Sequence, residues 1–112
     1  MKNGKLRGTR RKKMGRPEKL SQHHLDRIAL LLRSGCYIEN AAACAGISRS
    51  TFYRWLRRGE TQARGKYRNF WDTVTVSLAI CEVRHVSAIA AAAQTDWRAA
   101  AWLLERRFSQ RW

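Results

Sequence analysis

Residues Ala42-Ala43-Cys44-Ala45-Gly46-Ile47-Ser48-Arg49-Ser50-Thr51-Phe52-Tyr53-Arg54-Trp55-Leu56 decide how this chain folds. Two helices that cross over a tight turn need a small residue where they meet, and Ala42 supplies it. The turn needs a backbone that tolerates positive φ, and Gly46 stands four residues later. Ile47 follows as an apolar plug. Phe52 and Trp55, three apart, share one face of the next helix. Small, Gly and three apolar residues at 42, 46, 47, 52 and 55 predict a helix-turn-helix, with Ser48 or Ser50 capping its second helix.

An ordinary pair of packed helices has the same inner face, so the outer face discriminates. With Phe52, Trp55 and Leu56 turned inward, Ser48, Arg49, Ser50, Thr51, Tyr53, Arg54, Arg57 and Arg58 are left at the rim or outside. A surface helix that serves only stability mixes charge signs, and here no acid interrupts the run. Short hydroxyls and free amides at a helix start contact phosphate or bases. Arg49 and Arg54 are expected to read guanine edges in the major groove, and Arg57 and Arg58, further along, to contact phosphate, with Tyr53 suited to either.

Working outward, Leu25, Ile28, Leu31 and Leu32 recur at helical spacing between Ser21, a candidate cap, and Gly35. A second helix runs from about Ile38 to Ala45, and the third from Ser48 to about Arg58, where Gly59 is expected to stop it. Residues 60–69 read as a linker. Between 73 and 80, Val74, Val76, Leu78 and Ile80 alternate with small or polar residues, which is strand periodicity. Trp71, Val74, Leu78 and Cys81 also form a helical stripe, and no turn residue from Asn69 to Gln94 could close a hairpin, so a long helix is expected. Thr95-Asp96 reads as a break and a cap, and Trp97, Ala101, Leu104 and Phe108 fall on one face of a last helix. The expected fold is therefore all-α, with a basic flexible arm at 1–19, a helix-turn-helix domain at 20–59 and a helical hairpin at 70–112.

The chain has 112 residues, with 23 Lys and Arg against 8 Asp and Glu, a net +15. The charge is segregated: nine basic against one acidic residue in 1–20, two of each in 21–47, seven against one in 48–68, and five against four in 69–112. Two basic blocks flank a neutral region, which points to two segments facing a polyanion, double-stranded DNA first among them. In the arm, Lys12 and Lys13 precede Gly15-Arg16-Pro17, and an extended Arg16 flanked by basic residues suits a narrow minor groove. General phosphate contact by the arm is the plainer reading.

The N-terminus lacks the apolar stretch of a signal peptide, and three cysteines without CxxC spacing suit reduced thiols. A cytoplasmic protein without a membrane partner is expected. Cys81 and His85, four apart on a helix, could chelate zinc, but a structural site wants four ligands and no second pair stands near. The acids are scattered, which argues against a two-metal nuclease centre, and no phosphate-binding loop occurs. No catalytic residue, metal or cofactor is expected.

Gly15 to Leu20 followed by a helix, and Ala42 to Leu56, resemble the N-terminal domain of phage small terminase proteins. Asp96-Trp97-Arg98-Ala99-Ala100-Ala101-Trp102-Leu103-Leu104-Glu105-Arg106-Arg107-Phe108 resembles a segment of phage and prophage proteins of this type. The resemblance implies a helix-turn-helix that binds the packaging site, a helical middle that assembles a ring, and a C-terminus that engages the large ATPase-nuclease subunit, all in a bacterial host cell. The chain is short for such a subunit. Transcriptional regulators and transposition-associated proteins share the helix-turn-helix, and a basic-tailed protein that binds RNA or a membrane surface is a third class. Apolar groups beyond the intramolecular stripes mark Trp71, Val74, Leu78, Val83, Val86, Trp102, Leu103 and Trp112 as the candidate oligomer or partner interface.

Overall fold

A computed structural model describes residues 19–112, and the arm with Lys12, Lys13 and Arg16 lies outside the described residues. The described chain is all-helical: α1 (Gln22–Arg33), α2 (Ile38–Cys44), α3 (Arg49–Glu60), α4 (Lys66–Ala92) and α5 (Trp97–Arg107). The stretch 73–80 is helical throughout, within α4.

Each short helix is bounded by chemistry written in its sequence. Ser21 accepts the backbone N–H of His24 at 3.3 Å, and the Ser21 N–H donates to His24 Nδ1 at 3.2 Å. This is a capping box in which an imidazole takes the place usually held by Glu or Gln. At the end of α2, Ile47 N–H donates to Ala42 O at 3.0 Å and Gly46 N–H to Ala43 O at 3.1 Å. Those two bonds use the carbonyls that a helix end leaves open, and they require a left-handed residue between them. Gly46 adopts φ +82° there. The same pair of bonds closes α1, from Cys36 to Leu31 O and from Gly35 to Leu32 O.

Leu20, Leu25, Ile28, Leu32, Ala41, Ala42, Ile47, Phe52, Trp55, Phe70 and Val74 form one buried cluster. Its last two members come from α4. Phe70 is fully buried and meets Phe52 edge-on at 5.1 Å between ring centroids and Trp55 at 5.7 Å. Such edge-to-face pairs add about 0.5–1.5 kcal/mol each beyond the area they bury. The hydrophobic core therefore does not end at residue 59. α1 to α3 form a three-helix shell around a gap that the first half of α4 fills.

Gly59 has a different role from the one its position suggests. The helix continues past it to Glu60. A Cβ at 59 would lie 1.9 Å from the backbone carbonyl oxygen of Tyr67 and 2.9 Å from Trp71 Cβ. The glycine admits α4 rather than stopping α3. The connection between the helices, expected as a linker over 60–69, is only the turn from Thr61 to Gly65. Arg68 holds that turn by donating to Glu60 O at 3.4 Å and to Gln62 O at 3.5 Å. Further along, Arg84 donates to Arg33 O at 3.1 Å and ties α4 to the end of α1.

α4 has 27 residues and is about 40 Å long. Its buried residues are Phe70, Val74 and Ser77, all in its first half. α5 folds back as the second arm of a hairpin. Asp96 caps it, accepting Arg98 N–H and the Arg98 guanidinium Nε, each at 3.0 Å. The Arg98 contacts hold the Asp96 carboxyl below the usual carboxylate range. No residue of α5 is buried. Trp97, placed by sequence on an inner stripe, is 75% exposed. By length and composition α4 is also apolar enough to cross a membrane, but its first half is anchored in the core just described.

Two substitutions test this packing. Phe70→Ala should lower unfolding free energy by about 3–5 kcal/mol, read from denaturant titration of circular dichroism. A loss below 1 kcal/mol would mean α4 is not part of the core. Gly59→Ala should lower the thermal midpoint, although alanine is the better helix former by about 1 kcal/mol. The obstacle is a backbone carbonyl that no rotamer can move. An unchanged or higher midpoint would contradict the close approach.

Candidate nucleic-acid interface

α3 carries the outward cationic face. Ser48 caps it, accepting the Thr51 N–H at 3.1 Å and donating to Thr51 Oγ1 at 2.9 Å. Thr51, expected on the reading face, is therefore turned inward and buried, and its hydroxyl is used by the cap. The opposite side of α3 places Phe52 and Trp55 in the core. The inner face thus fixes the rotation of the helix about its axis.

That rotation leaves Arg49, Ser50, Arg54 and Arg57 exposed and Tyr53 half-buried. Ser48, Arg49, Ser50, Tyr53 and Arg57 line one open concavity. Residues 49, 50, 53, 54 and 57 follow the spacing of one helical face, so the sequence-derived group is brought together apart from Thr51 and Arg58. Arg58 turns sideways, its guanidinium 4.2 Å from the Tyr67 ring centroid. Among the described residues no acid forms an ion pair with Arg54, Arg57 or Arg58. A helix of 12 residues, about 10–12 Å across with its side chains, fits the major groove, about 12 Å wide.

Arg49 departs from the uninterrupted cationic run. Glu39, from the first turn of α2, approaches its Nε at 3.4 Å. The same guanidinium lies 5.7 Å from the Tyr53 ring centroid. The pair crosses from one helix of the motif to the other, and nothing in the sequence spacing of 39 and 49 announces it. Both groups are exposed, so the pair is weak, about 0–1 kcal/mol. It nevertheless gives Arg49 a resting orientation on the rim.

The expected interface residues of the second half separate. Val74 lies in the core and is unavailable to a partner. Trp71 is half-buried under the Arg68 guanidinium, 4.5 Å from its ring. Leu78 lines a groove with Tyr37, Tyr53 and Cys81, and Leu103 is half-buried. Val83 (63%), Val86, Trp102 and Trp112 are exposed. Cys81 Sγ lies 3.6 Å from His85 Nδ1, and His85 donates to Cys81 O at 2.8 Å. Among the described residues no third His, Cys, Asp or Glu joins them.

Residues 15–59 match the family model for the helix-turn-helix domain of resolvase. No curated protein and no solved structure matches the chain. The matched segment covers α1, α2 and all of α3 but Glu60, and ends before α4 begins. The cationic face of α3, its cap, the Gly46 turn and this match agree on a DNA-binding helix-turn-helix built from α1, α2 and α3.

Proposed function

We propose that this protein is a sequence-selective reader of duplex DNA that works as an assembly of copies, as the DNA-recognition subunit of a phage packaging terminase. The observation that carries the reading half is the α3 face of Arg49, Ser50, Tyr53, Arg54 and Arg57, held in one rotation by Phe52 and Trp55. Arg54 reads a base edge and Arg57 grips phosphate.

The assembly half rests on α4. Val76, Ala79, Val83, Val86 and Ala90 follow alternating steps of three and four residues, the pattern of a two-helix seam. Val76, Val83 and Val86 are exposed large apolar groups of that seam. Residues 69–112 hold five basic and four acidic residues, so two hairpins meet without the repulsion that the basic halves would bring. A second copy is the occupant that this neutral apolar seam suits. The terminase role draws on the resemblance of residues 15–56 and 96–108 to that group, with the large ATPase-nuclease subunit as a further partner of the α5 aromatics. The match to a resolvase helix-turn-helix favours a second reading, a regulator or transposition-associated protein that binds as a dimer. In either role the protein binds DNA and leaves the chemistry to a partner.

Selection of binding sites from random duplexes, followed by titration at fixed salt, tests the reading half. Arg54→Ala should lower affinity for the selected site by roughly 5- to 150-fold and relax one base position. Arg57→Ala should weaken all duplexes alike. Undiminished affinity and preference in both variants would remove α3 from the interface. Glu39→Gln should raise affinity, by up to about fivefold, because it frees Arg49 and removes a carboxylate from the phosphate side; lower affinity would instead show that Glu39 positions Arg49 for reading. Native mass measurement tests assembly: a ring favours packaging, a dimer favours the regulatory role, and Val83→Glu should shift either to monomer with its helicity retained. A monomeric wild-type chain would sink the assembly proposal.

A further inference from the structure

Beyond the matched residues 15–59, the turn into α4 builds a second cationic feature. Tyr67 packs half-buried against the core. The Arg58 guanidinium lies 4.2 Å from its ring centroid and Lys66 Nζ lies 5.3 Å from the same centroid. One aromatic ring thus holds two cations, one from the end of α3 and one from the start of α4. Asp72 is engaged by Arg68 at 3.3 Å, and no acid among the described residues pairs with Arg58 or Lys66. Arg68, by holding the turn at Glu60 O and Gln62 O, keeps the two halves of the cluster in register. Two like charges on one half-buried ring repel each other, and a polyanion relieves that repulsion.

From the DNA-binding reading of α3, we infer that Arg58, Lys66 and Tyr67 form a phosphate clamp on the DNA backbone at the far side of the groove that α3 enters. Ser50 and Arg58 are eight residues apart, a rise of about 12 Å along the helix, which sets the clamp well apart from the N-terminal residues of α3 that enter the groove. The start of α3 meets base edges while its end reaches the bordering strand. Tyr67 is a positioning residue: its ring orients both cations by cation–π attraction, and its backbone, against Gly59, fixes where the ring stands. The clamp is sequence-independent, since phosphates are the same at every step.

The test is the salt dependence of duplex binding by the full chain, with the site selected for the wild type and an unrelated duplex. Each phosphate contact contributes about 0.9 to the slope of log affinity against log salt. Lys66→Ala should reduce the slope by about 1, and Arg58→Ala with Lys66→Ala by about 2, with the ratio of selected to unrelated duplex held within twofold. Arg106→Ala is the control: it also removes a cation stacked on an aromatic, Trp102, at 4.3 Å, but in α5. Its slope should stay within 0.3 of the wild type, roughly a third of one contact. Tyr67→Phe should behave as the wild type because the ring is kept. A Lys66→Ala slope equal to that of the wild type overturns the clamp, and so does a loss of sequence preference, which would make Lys66 a base reader. Absence of wild-type duplex binding at any salt would defeat the DNA-binding reading itself, so the two failures are distinguishable.

Discussion

The edge-on contact of Phe70 with Phe52 and Trp55 sets both the rotation of α3 and the course of α4. α3 has to bury two aromatic side chains to fix its own rotation, and α1 and α2 do not enclose them alone. α4 completes the enclosure, and it comes close enough only because Gly59 lacks a side chain. The cationic face of α3 points outward because the aromatic face points at Phe70. The orientation of the reading surface is thus a packing result rather than a property of the arginines.

The same contact explains how the molecule divides. The first half of α4 is structurally part of the helix-turn-helix domain, and the second half, from Glu82 on, has no buried residue. One continuous helix is buried in its first half and exposed in its second. Its charge distribution follows that division, with the basic residues of 48–68 on the reading side and a near-neutral stretch beyond. Exposed apolar residues begin at Val76, where the buried ladder of Phe70, Val74 and Ser77 is ending. Helical periodicity lets the buried and the exposed apolar stripes coexist on different faces without competing for residues.

Much of this was legible in the sequence, for physical reasons that particular residues make clear. Gly46, Ile47, Phe52 and Trp55 announce the turn and the inner face because their requirements are local. Ser21 and Ser48 announce the helix starts for the same reason. What escaped a linear reading is tertiary. Gly59 looks like a stop signal, and only the position of Tyr67 reveals it as a contact. Val74 falls on an apolar stripe that suits a partner as well as a core, and the choice depends on where α1 and α3 lie. Thr51 has the chemistry of a DNA contact but the position of a cap partner. Glu39 and Arg49 are ten residues apart on different helices, beyond the reach of any spacing rule for one helix. The mixed basic and aromatic composition of Lys66-Tyr67-Arg68 was the available signal for the second cationic feature, and it was hidden inside what read as a linker.

The short turn between α3 and α4, held by Arg68 and abutted by Gly59, has a mechanical consequence. It leaves no hinge between the reading helix and the shaft of α4. Whatever grips the distal half of that shaft, about 25 Å from Phe70 along the helix axis, turns α3 with it as one lever. A small angular change at the far end becomes a displacement of the arginines across the groove.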